Sequence, residues 1–79
     1  MRLLDEDTDK AVDRVTIYLT QSEAEELRDS LLALLKEPRG NHSHVPSGDF
    51  QKEITVCIYS EDALSSFNER SQKLILNDE

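Results

Sequence analysis

The chain has 79 residues and a mass of 9.0 kDa, with 17 acidic residues against nine basic ones and a net charge of −8 at pH 7. That length leaves room for one domain only, and no stretch approaches the ~18 apolar residues a membrane span requires. The acid surplus argues against sequence-independent nucleic-acid binding, which depends on Lys and Arg neutralising phosphates.

The opening Met1-Arg-Leu-Leu-Asp-Glu-Asp7 lacks the apolar run of a secretory signal, and the single cysteine, Cys57, has no internal disulfide partner. Both point to a cytoplasmic protein. Residues 1–12 crowd Asp5, Glu6, Asp7 and Asp9 together, with no apolar period beyond Leu3 and Leu4. They are expected to form an acidic flexible tail, with a single domain over 13–79.

The first strand is expected over Asp13 to Leu19. Val15, Ile17 and Leu19 alternate with Thr16 and Tyr18, the period of a half-buried strand. A helix follows at once. Thr20-Gln-Ser-Glu23 fits a capping box, with Ser22 and Glu25 as a competing frame. Ala24, Leu27, Leu31, Leu34 and Leu35 recur at helical spacing as one apolar stripe, with Leu32 off its centre and partly exposed. Pro38 with Gly40 is expected to stop the helix.

Pro46-Ser-Gly-Asp49 has the chemistry of a tight turn. It predicts a hairpin between a short strand, His42 to Val45, and a longer one, Phe50 to Tyr59. Ile54, Val56 and Ile58 would form the buried face of the long strand. Ser60-Glu-Asp62 opens a short helical piece with Ala63, Leu64 and Phe67 on its apolar side, and Asn68 can cap a further turn or two through Leu74 and Ile75.

The order strand, helix, strand, strand, helix predicts a small α+β fold, β-α-β-β-α. A two- to three-stranded, mostly antiparallel sheet would carry its helices on one face. The direction of the first strand relative to the long one stays open, although a right-handed crossover would make them parallel and adjacent. Helices on one face leave Thr16, Tyr18, Thr55, Cys57 and Tyr59 on the other. That surface is uncharged and carries two tyrosines, as the cores of interfaces do. A homodimer or a protein partner is the expected use of it, and an ordinary solvated sheet face is the alternative.

His42-Ser-His44 is the one cluster suited to chemistry. Residues two apart on a strand share a face. A tight turn at 46–49 would set His44 opposite Gln51 and His42 opposite Glu53. His42, His44 and Glu53 would then make a candidate zinc site, metal-binding or catalytic. Histidines held in ordinary hydrogen bonds are the competing reading. No other cofactor is expected, and no catalytic residue is assigned. Cys57 has no basic sequence neighbour to lower its pKa, and glycines at 40 and 48 alone cannot cradle a phosphate.

The segments Tyr18 to Leu31, His42 to Val45 and Glu53 to Tyr59 resemble a group of small bacterial proteins of unassigned function. They also resemble immunity proteins of polymorphic-toxin systems, which are small and acidic and carry a His-X-His strand after a Leu-rich helix. The resemblance spans about residues 15 to 60. It implies a binding protein that neutralises a toxin domain.

Overall fold

The computed structural model describes residues 1–38 and 42–79. It is a small α+β fold. β1 (Leu3–Asp5) and β2 (Lys10–Val12) form one antiparallel hairpin, α1 spans Gln21–Lys36, and β3 (His42–Pro46) and β4 (Glu53–Cys57) form a second antiparallel hairpin. A 3-10 helix, Glu61–Ser66, and α2, Glu69–Asn77, complete the chain.

Helix α1 starts where its cap dictates. The Thr20 hydroxyl accepts from the Glu23 N–H at 3.2 Å, and the Glu23 carboxylate accepts from the Thr20 N–H at 2.9 Å. This reciprocal pairing satisfies two backbone donors that a bare helix end leaves open. The helix ends at Lys36, ahead of Pro38; Gly40, the other expected stop, lies outside the described residues. Asn68 caps α2 through the Ser71 N–H at 2.8 Å, as its spacing suggested.

The inward line of α1 is narrower than its apolar stripe. Glu23, Leu27, Ser30 and Leu34 turn toward the protein, while Ala24, Leu31 and Leu35 stay exposed beside Leu32. The helix lies against β3 and runs antiparallel to it. Glu23 at its start reaches Gly48 just past β3, and Leu34 near its end lies by Ser43. Leu34 and Val45 are the best-buried side chains of this layer, at 2% and 3% exposure.

Three expectations are corrected. Asp13–Leu19 is not a strand; it bends at Asp13 and then runs extended, without a strand partner among the described residues. The sheet therefore has two strands at β3–β4, and the other strand pair sits at residues 3–12, in the segment expected to be a tail. Alternation made 13–19 strand-like, but a strand also needs a neighbour to bond. Residues 3–12 are too short for an apolar period; Leu3 pairs with Val12 and Leu4 with Ala11, and two arginines tie this hairpin to the C-terminal segment. Arg2 Nε donates to the Leu74 and Ile75 carbonyls at 3.0 and 3.2 Å, and Arg70 Nε donates to Asp9 Oδ1 at 2.8 Å.

The third correction is the register of the second hairpin. Its connection is the loop 47–52, with Phe50 in the left-handed region at φ 59°. His44 therefore pairs with Thr55 instead of Gln51, and His42 with Cys57 instead of Glu53. The slip is an even number of residues, so every side chain keeps the face its pattern assigned.

Candidate interaction surface

The inner face of the β3–β4 hairpin is Val45 with Ile54 and Val56, turned toward α1 and the extended run. The outer face is His42, His44, Glu53, Thr55 and Cys57. On it His44 Nδ1 lies 2.9 Å from Thr55 Oγ1 and 3.2 Å from Glu53 Oε1. Glu53 reaches His44 as a diagonal neighbour, since its own cross-strand partner is Pro46. The His42 and His44 rings meet edge to face, with centroids 4.9 Å apart at 89°. Among the described residues no group of three or more His, Cys, Asp and Glu is placed to hold a metal ion. Of the three residues expected to converge, His44 and Glu53 meet, while His42 stacks on its neighbour and faces Cys57.

Three titratable side chains in or beside the hairpin are displaced from their ordinary values. Glu23 is held below the usual carboxylate range, first by the Thr20 N–H and then by the Gly48 N–H, which donates to Oε2 at 2.8 Å. Asp49 is also held down, by the Ser47 hydroxyl and then the Gln51 N–H. Loss of solvent, and after it the Glu6 carboxylate, pushes the Cys57 thiol up, so it stays protonated and weakly nucleophilic.

The Glu23 clasp ties the start of α1 to the loop 47–52 and gives a signed prediction. A folded pKa below the unfolded one means the contribution is complete above the ordinary carboxylate range. It disappears as pH falls through the depressed value. Glu23→Gln keeps an acceptor oxygen but removes the charge. Its Tm should be lower than that of the parent at neutral pH, and the gap should close in acid. A gap that is constant with pH would show that the charge does not contribute.

Five interface residues were expected on one sheet face. Thr16 and Tyr18 instead lie on the unpaired run, with Tyr18 91% exposed. Thr55 and Cys57 share the outer face of the hairpin. Tyr59 lies past the end of β4 and is half-buried. The exposed apolar surface is elsewhere as well. Val15 and Ile17 stand half exposed, Leu31, Leu32 and Leu35 line a flank of α1, and Phe50 projects from the loop tip at 82% exposure. A left-handed backbone at an aromatic residue costs on the order of 1 kcal/mol, with no packing of its ring in return. The Leu31 and Leu35 exposure was not foreseen; its signal was that the leucine stripe is wider than one two-stranded hairpin can cover.

Between the extended run and the hairpin lies an open groove of about 400 Å³. Residues 16–19 line it on one side and Val45, Pro46 and Ile54 on the other, with Glu23, Lys52 and Glu53 at a charged margin. No protein-family model, curated protein or solved structure matches the chain. No helix among the described residues is long and apolar enough to cross a membrane.

Proposed function

We propose that the chain is a non-enzymatic protein-interaction module whose core is completed by a second chain. The surface area carries this reading. A folded monomer of 9.0 kDa exposes about 4,900 Å². This chain exposes 6421 Å², an excess of about 1,500 Å² over that expectation. Its radius of gyration is 13.2 Å, against about 11.6 Å for a compact chain of this length. Exposed apolar side chains such as Tyr18, Leu35 and Phe50 contribute to that area, and a standard interface covers about 800 Å² on each partner.

Self-association is the first form of this reading. The second is a basic protein partner, toward which a charge of −8 steers encounter. A toxin domain neutralised by this chain would be such a partner, in line with the resemblance to immunity proteins. The open groove and the apolar side chains exposed around it support a binding role.

Sedimentation velocity over a wide concentration range tests the module reading, combined with capture of basic protein domains on immobilised chain. A mass of two or more chains, or saturable binding of a basic domain that weakens with salt, is expected. A single-chain mass throughout, with no domain bound, would falsify the module reading.

A further inference from the structure

The run Asp13–Leu19 is strand in its sequence and unpaired in its own fold. Its residue types alternate, its backbone carries no bend from Arg14 to Leu19, and it ends at the capped first turn of α1. Among the described residues its N–H and C=O groups make no backbone hydrogen bond. Val15, Ile17 and Tyr18 are 57%, 48% and 91% exposed. No Lys or Pro interrupts 15–19, although natural edge strands use such residues to prevent pairing. An apolar edge of this kind calls for a strand beside it.

Resting on the module reading above, we infer that this strand is a second copy of the same run. The two lie antiparallel about a two-fold axis through Thr16. In that register Val15 of each copy lies opposite Ile17 of the other, and Arg14 lies opposite Tyr18. The guanidinium can then cover the exposed tyrosine ring. Thr16 meets its own copy at the axis, so no like charges are brought opposite each other. An axis through Ile17 would instead set Arg14 opposite Thr20, which is already committed to the helix cap.

The added strand would also roof the open groove. Val15, Ile17 and Leu19 of both copies fall on one face of the two-stranded ribbon, and Ile17 and Leu19 already line the groove with Val45 and Ile54. Pairing 14–18 of two copies sets the half-exposed Val15 and Ile17 of each against those of the other, and the surplus of about 1,500 Å² per chain exceeds the roughly 800 Å² per partner of a standard interface. The surplus area of each chain accommodates this. A symmetric dimer is also the commonest closed assembly, and it uses up both edges at once.

Proline scanning of the full chain tests this directly. In a two-stranded ribbon the N–H groups of alternate residues point at the partner. Hence either Thr16 or Ile17 must donate inward. Thr16→Pro and Ile17→Pro remove N–H groups that make no backbone bond among the described residues, so far-UV circular dichroism should be unchanged in both. At least one variant should dimerise about tenfold to a hundredfold more weakly by sedimentation, because symmetry removes its ladder bond twice. In a Cys57→Ser background, Thr16→Cys should give a covalent dimer with a short bis-maleimide. A parent chain that sediments as one copy overturns the inference and leaves the basic-partner form of the module standing. A dimer undiminished in both proline variants and not cross-linked through position 16 overturns it too, and places self-association elsewhere.

Discussion

Leu34→Ala should leave the chain mostly unfolded at 25 °C. Leu34 is 2% exposed and sits where the end of α1 meets β3 beside Ser43. Truncating a buried leucine costs about 2–5 kcal/mol through lost transfer energy and the cavity left behind. A domain of this size holds roughly 3–5 kcal/mol in total, so the substitution takes most of it. Few neighbours can close in, because the surrounding leucines point outward. Leu32→Ala, four-square on the exposed flank at 54%, should change stability by no more than about 0.5 kcal/mol in the same assay. Urea denaturation at one fixed protein concentration is the measurement, since association adds to apparent stability. A Leu34→Ala midpoint equal to that of the parent would place the core somewhere else.

Arg70→Ala is expected to undock the N-terminal hairpin. Arg70 donates from Nε to Asp9 Oδ1 at 2.8 Å, and from Nη2 to the Asp9 and Glu79 carbonyls at 3.1 and 2.9 Å. One planar side chain thus binds the β1–β2 turn and the C-terminal end together. Asp9 itself is in the left-handed region at φ 58°, a conformation this clamp helps to hold. Its carboxylate is 68% exposed, so the ion pair is screened and the net loss is roughly 1–2 kcal/mol. Locally the effect should be larger. Amide hydrogen exchange across Leu3–Val12 should lose its protection, while α1 keeps its own. Arg70→Lys should not restore it, because an ammonium cannot reproduce the fork that serves three acceptors. Unchanged protection in Arg70→Ala would assign the docking to Arg2, which holds the Leu74 and Ile75 carbonyls.

These two sites differ in how much of them is legible from composition and spacing. The capping box and Asn68 are local signals, each complete within one turn of helix, and each is found where its residues place it, whereas of the apolar stripe only Leu27 and Leu34 turn inward. The N-terminal hairpin is invisible at that range. Arg2 lies 72 positions from the Leu74 carbonyl and Arg70 lies 61 from Asp9, and a short acidic stretch carries no period that reveals either contact. The His-X-His pair lies between these cases. Its shared face follows from strand geometry, but its partners depended on the length of the loop 47–52 and on the left-handed turn at Phe50.

Local chemistry alone therefore determined the α+β class, the start of both helices and which side chains share a face of the second hairpin, because capping bonds and pleat act between near neighbours. Tertiary structure decided the rest. It chose the register of that hairpin, clamped the acidic end onto α2, and left 13–19 with the pattern of a strand and no paired strand among the described residues. Pairing is a relation between distant segments, and the alternation of one segment carries no information about which other will meet it.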